Sequence, residues 1–144
     1  MIGADRVADV LGGRSVLRRS VRSIGDLRAL VEAGLPKASL AACARAIADN
    51  PRAAREIIYG TVPEATFKRR RQRLKRDESE RTERLARVMA TAEAVWRNSE
   101  DARRFMTTAH PLLDGRRPID VARSELGARQ IEEILWQAYH GLPL

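Results

Sequence analysis

Aromatic residues make up only 4% of this 144-residue chain, cysteine occurs once and histidine twice. A single cysteine, Cys43, closes no internal disulfide, and His110 and His140 lie too far apart to give it zinc-ligand spacing. A reducing compartment and a protein without metal or cofactor are therefore expected. Within the helical run 38–48, Cys43 reads as a small buried apolar residue. There is no HExxH motif, no phosphate-cradling glycine loop and no nucleophile–base–orienter set, so an enzyme is not expected. No apolar run reaches the length of a membrane span, and the first twenty residues hold no signal-peptide core. The expectation is a soluble, cytoplasmic protein. Strand-type alternation is scarce too, whereas Ala, Leu, Arg and Glu abound, which points to an all-α fold with a modest core.

Positive charge is what the chain has in excess. The formal net charge is +8, and it is unevenly distributed. Residues 1–76 hold 17 Lys and Arg against 7 Asp and Glu, a balance of +10, while residues 77–144 hold 10 against 12, a balance of −2. A basic half suits a polyanion, and the other half suits a different partner. The charge peaks at 68–76, where seven of nine residues are Lys or Arg. Pro63 fits a first helical position, and nothing from there to Arg76 breaks a helix. Phe67 and Leu74 would form a narrow apolar seam. A solvated basic helix is the plain interpretation, but this run follows another helix and a tight turn at 59–61. Helix, turn and basic helix is the arrangement that sets a second helix in a DNA major groove. Arg69 is then the leading base reader, with Glu64 and Thr66 near the end that meets base edges. Lys68, Arg70, Arg71, Arg73, Lys75 and Arg76 are expected on phosphates, which position without reading sequence.

Taken in order, residues 4–11 allow two helical turns stopped by Gly12-Gly13, and 14–22 read as a mobile basic arm or a phosphate-contacting one. Ser23 can cap a helix that ends at Gly34-Leu35-Pro36, followed by helices at 37–48 and from Pro51. Acidic residues at 77–80 begin the longest helix, to about Asn98. Its stripe of Leu85, Val88, Met89, Ala92, Val95 and Trp96 is broad enough to suggest a homodimer face. A helix from Ser99, a short one from Pro118 and an amphipathic one from about Gly127 complete the chain. The division expected is 1–22 as short helix and arm, 23–76 as helix-turn-helix domain, and 77–144 as a second helical domain.

The second half resembles a known family. Residues 80–94 (ERTERLARVMATAEA), 102–108 (ARRFMTT), 110–120 (HPLLDGRRPID), 127–135 (GARQIEEIL) and 138–141 (AYHG) are similar to the toxin-binding domain of Xre/MbcA/ParS antitoxins. Residues 24–76, with Gly34-Leu35-Pro36 and the TFKRRR run at 66–71, resemble the Xre-like helix-turn-helix of the same proteins. The departures are His110 where the loop usually has Asn, Asp114-Gly115 where two glycines are usual, and Thr61 at the turn glycine. The resemblance implies a type II antitoxin whose partner is a RES-type toxin that consumes NAD or uses it to transfer ADP-ribose. It implies that the second half covers the toxin's active site and that the helix-turn-helix represses the shared promoter by binding double-stranded operator DNA. On this basis the toxin-binding residues expected are His110, Arg116 and Arg117 in the loop. At the C-terminal end they are Gln137, Tyr139, His140, Gly141, Leu142 and Leu144. Two other interpretations of the residues stay open: a stand-alone repressor that only dimerises through its second half, and an enzyme with a dispersed site.

Overall fold

The computed structural model describes residues 1–141, among which there are ten α-helices and no β-strand beyond isolated bridges. The helices are α1 (Ala4–Val10), α2 (Gly13–Leu17), α3 (Ile24–Ala33), α4 (Lys37–Ile47), α5 (Pro51–Thr61), α6 (Glu64–Arg69), α7 (Arg76–Trp96), α8 (Ser99–Thr107), α9 (Pro118–Val121) and α10 (Glu125–Tyr139). Their starts follow local chemistry. Ser23 accepts a hydrogen bond from the Asp26 amide at 3.1 Å, and Asn50 from the Ala53 amide at 2.9 Å. Asn98 and Ser124 do the same for α8 and α10. Each such cap stabilises its helix by about 1 kcal/mol.

The all-α expectation holds, and the fold is organised around α7. Helices α1, α3, α4, α5, α8 and α10 all pack on it. Its stripe explains why: Val88, Met89 and Ala92 are fully enclosed and Leu85 nearly so. Burying a side chain of this size stabilises the fold by about 1.5–3 kcal/mol. Those four residues were expected to meet a second copy; they are instead the interior of this chain, because six helices pack around α7 and bury it on nearly every side between Leu85 and Ala92. Val95 is half-buried and Trp96 is exposed.

The N-terminal segment also differs from the mobile arm expected. Val7, Val10, Leu11, Leu17 and Val21 are buried in the same continuous core as Leu27, Cys43, Met89 and Ile134. Their spacing satisfies two short helices joined at Gly12-Gly13, both glycines having positive φ. Cys43 is fully buried, and burial pushes its thiol up to about 12, so it stays a protonated, unreactive core residue.

The largest departure lies at 63–76. The helix ends at Arg69; the chain bends at residues 71–72 and then runs back in extended form over 73–75 beside residues 34–37. The Leu74 amide donates to the Leu35 carbonyl and the Lys37 amide to the Gln72 carbonyl, both at 2.8 Å. Leu74 does join Phe67 in an apolar seam, with Leu40 and Val62, but reaches it along an extended chain. Tertiary contacts override helix propensity here. Gly34 permits the approach: a Cβ there would overlap the Leu74 carbonyl, and its φ of +98° disfavours other residues.

Candidate functional site

The basic surface is built on the turn between α5 and α6. Thr61 stays helical, with its hydroxyl bonded to the Ile57 carbonyl at 2.8 Å, so no glycine is required where the related pattern has one. Val62 then extends and buries completely, and Arg81 on α7 donates to the Thr61 carbonyl at 2.9 Å. This clamps the turn to the central helix. Phe67 fixes the roll of α6: its ring meets Tyr59 edge to face at 6.2 Å, and the Lys37 ammonium lies 4.5 Å from the ring centroid.

With Phe67 turned in, Glu64, Ala65, Lys68 and Arg69 face solvent and Thr66 is half-buried. Lys68 and Glu64 pair at 2.8 Å, a hydrogen bond that raises the ammonium's pKa. The Arg69 guanidinium comes within 3.5 Å of the Thr66 hydroxyl. Arg70 is not a free phosphate contact. Its Nε and Nη2 bond both carboxylate oxygens of Glu78 at 2.9 and 2.7 Å, and Glu78 is buried. The same carboxylate accepts the Lys75 amide at 2.8 Å, which caps α7. Arg70, and then the Lys75 amide, hold the Glu78 pKa below the ordinary carboxylate range against the opposing effect of burial. The Ser79 hydroxyl accepts the Leu35 amide at 2.8 Å, so the first turn of α7 holds both ends of the 70–75 segment through Glu78 and the adjoining 34–37 segment through Ser79.

What the segment presents outward is Arg71, Gln72, Arg73 and Lys75, all exposed. Among the described residues no carboxylate lies within ion-pair distance of Arg69, Arg71, Arg73 or Lys75, while Arg76 pairs with Glu80 at 3.3 Å. The candidate nucleic-acid surface is therefore a six-residue helix followed by an extended basic strip, not one long helix. The sequence hinted at this through Leu74, an apolar residue inside a charge run. Helical spacing explained that residue equally well.

The second surface begins at the 110–117 loop. His110 closes it: its amide donates to the Arg116 carbonyl, its carbonyl accepts the Gly115 amide, and its Nδ1 accepts the Leu112 amide at 3.1 Å. That leaves Nε2–H directed away from the turn as a donor. Asp114 and Gly115 both adopt positive φ. Arg116 is exposed, and Arg117 is held by Asp120 at 2.9 Å, a bond that raises its pKa. Leu113, Pro118 and Ile119 anchor the loop in the core.

At the end of α10, Gln137, Tyr139, His140 and Gly141 are exposed, and Tyr139 stacks edge-on with Trp136 and His140. Leu142 and Leu144 lie outside the described residues. The loop touches α10 through Gln130, whose amide reaches the Leu112 carbonyl at 3.4 Å. From Gln130 to Tyr139 is nine helical rises, about 14 Å, so loop and helix end are separate parts of one flank. Sequence reasoning missed the aromatic link across this flank. Trp96 lies 6.3 Å from Phe105, and Phe105 lies 5.9 Å from His110, with Leu112 exposed nearby. The clue was Trp96 at the edge of an otherwise aliphatic and alanine-rich stripe.

Among the described residues no group of three His, Cys, Asp or Glu is placed to hold a metal ion, and no helix is long and apolar enough to cross a membrane. No curated protein matches the chain. Two family models do. The antitoxin Xre-like helix-turn-helix domain matches residues 26–87, and the antitoxin Xre/MbcA/ParS C-terminal toxin-binding domain matches residues 91–141. The first match spans the α5–α6 turn with its basic strip, the second spans the loop and the described end of α10, and they meet inside α7. The chain belongs to the Xre/MbcA/ParS-type antitoxins: a toxin–antitoxin protein with a helix-turn-helix and a toxin-binding domain.

Proposed function

We propose that this antitoxin binds and occludes the active site of a RES-type toxin that consumes NAD or transfers ADP-ribose from it, and that it represses its own operon in the cytoplasm. The observation that carries the proposal is the separation of the two exposed surfaces. The basic strip lies at the start of α7, and Trp96 and Tyr139 lie toward the far ends of α7 and α10. Twenty helical rises of α7 put about 30 Å between them, so DNA and toxin can be held together. Arg69, with Glu64 and Thr66, reads bases; Arg71, Arg73 and Lys75 hold phosphates, with Lys68 and Arg76 exchanging a carboxylate for a phosphate. His110, Arg116 and Arg117 form the rim of the toxin contact. Gln137, Tyr139, His140, Gly141, Leu142 and Leu144 enter the cleft, where basic groups that bind the dinucleotide phosphates meet the terminal carboxylate. Two copies sit on paired operator half-sites.

The test is co-purification with the product of the adjacent gene. The complex should be silent in an NAD-consumption assay, and truncation after Tyr139 should restore turnover while operator binding persists. Arg69→Ala should cost about 1–3 kcal/mol on the operator and relax one base position. An adjacent gene product that neither binds nor consumes NAD would leave a stand-alone homodimeric repressor.

A further inference from the structure

A lysine stands where local chemistry argues against one. Lys37 is the first residue of α4, whose first turn holds no acidic residue, and the positive end of a helix dipole disfavours a cation there. Its half-buried side chain is turned to the carbonyl end of a different helix. The Nζ donates to the Arg70 carbonyl at 2.8 Å and lies 4.5 Å from the centroid of the Phe67 ring. The Lys37 amide donates to the Gln72 carbonyl, also at 2.8 Å. One residue thus holds the carbonyls on either side of Arg71, at the bend where α6 gives way to the strip. Helix α6 needs such a hold. It has six residues, none of them buried, and no side chain caps its start. A helix of that length is marginal alone, and its last carbonyls lack intrahelical partners. A cation at this end suits the negative pole of α6 and offsets the cost at the start of α4. A departure from a local rule that is compensated elsewhere is a mark of function.

We propose that Lys37 is a positioning residue for DNA reading. Its ammonium stays on the Arg70 carbonyl when DNA is bound and fixes the angle between α6 and the strip. That angle sets the register between Arg69 on a base edge and Arg71 and Arg73 on phosphates. The proposal rests on the reading that this face binds operator DNA. Phosphate contacts position the protein and base contacts specify the site, so both have to be met at once. A bend held at the wrong angle therefore loses base reading while the attraction between cations and phosphates remains. Lys37 serves the operator through the main chain it holds, not as one more charge facing the duplex.

Operator binding by the full chain tests this. Lys37→Met keeps the length of the side chain and removes the ammonium. Because it also takes a cation from the start of α4, its helical content should match the wild type. It should bind the operator about tenfold or more weakly, yet bind an unrelated duplex as the wild type does, with the salt slope unchanged. Lys37→Arg, which can still donate to the Arg70 carbonyl and lie on the Phe67 ring, should recover most of the operator affinity. A salt slope lower by about one unit, with both duplexes weakened alike, would make Lys37 a phosphate contact and overturn the proposal. Unchanged operator affinity in Lys37→Met, or no recovery in Lys37→Arg, overturns it as well. Hydrogen exchange reads the bend without DNA. The Arg70 and Leu74 amides, bonded to the Phe67 and Leu35 carbonyls, should exchange about tenfold faster in Lys37→Met, and equal rates would also overturn the proposal. A wild type that binds no duplex would refute the DNA reading, and the exchange rates would still decide whether Lys37 holds the bend.

Discussion

Leu74→Ala separates the basic strip from the charges it carries. Leu74 is 3% exposed, in a small cluster with Leu40 and Val62 that is distinct from the main core. Leu→Ala substitutions at buried sites cost about 2–5 kcal/mol, with the low end where neighbours can relax into the gap. Ile58 and Phe67 are only partly buried and border the cluster, so about 2–3 kcal/mol is expected. The loss should be local, since the cluster anchors 70–75 and not the α7 core. Hydrogen exchange reads it directly: the Leu74 and Lys37 amides, bonded to Leu35 and Gln72, should exchange about 30–150-fold faster, at about 1.4 kcal/mol per tenfold. Core amides of α7 should keep their rates. Operator affinity should fall while the salt dependence stays nearly unchanged, because the variant retains every cation but not their arrangement. Unaltered exchange at Leu74 and Lys37 would mean that the Arg70–Glu78 pair alone holds the strip, and the packing argument would be refuted.

Glu78→Gln should destabilise at neutral pH, and the gap to wild type should close in acid. The native carboxylate has a lowered pKa, so its contribution is complete above the unfolded value and disappears as pH falls through the folded one; denaturant titrations from pH 7 to pH 3 check this. Glu83 works in the opposite sense, because burial raises its pKa and protonation favours the fold, so Glu83→Gln should show its larger benefit at high pH in the same titrations. Gly127→Ala would set a Cβ against the Val121 carbonyl, a backbone atom that cannot swing aside. Overpacking of about 1–3 kcal/mol should exceed the helix-propensity gain of about 1 kcal/mol, and toxin capture should suffer before operator binding does. Val88→Glu places a charge at a fully buried position and should yield an unfolded chain by circular dichroism, not a folded monomer.

The all-helical class, most helix starts and the α5–α6 turn were legible because they depend on local chemistry: Ser23, Asn50-Pro51 and Pro118 act on their own neighbours. The α7 stripe was legible as apolar but not as to what covers it. Periodicity reports that Val88 and Met89 share a face. Whether α1 and α10 or another molecule lies on that face depends on where distant segments return. The arm at 14–22 misled for a related reason. Leu17 and Val21 are apolar residues in a run of arginines, and α2 is covered by α1 and by α4, about twenty residues or more further along. At 70–75 the local signal was helical and the tertiary one prevailed, through one buried leucine, one bidentate ion pair and a glycine that lets two backbones touch.

Those same contacts bear on how the two interfaces are joined. The family boundary falls inside α7, yet the helix shows no interruption between Arg76 and Trp96. Its first turn holds the basic strip through Glu78 and the adjoining Leu35 through Ser79, and its later turns carry Met89 and Ala92 against the core and Trp96 against Phe105. Arg84 and Arg87 bind it to α10 through Glu125 and Glu132, so the helix whose end is proposed to face the toxin is fastened to it as well. A helix with a continuous hydrogen-bond ladder transmits a shift or tilt as a unit instead of absorbing it at a hinge. The two segments recognised by sequence thus share one uninterrupted helix and no linker separates them. On the proposed function, the contact through which that helix holds the DNA-facing strip is the one made by Glu78.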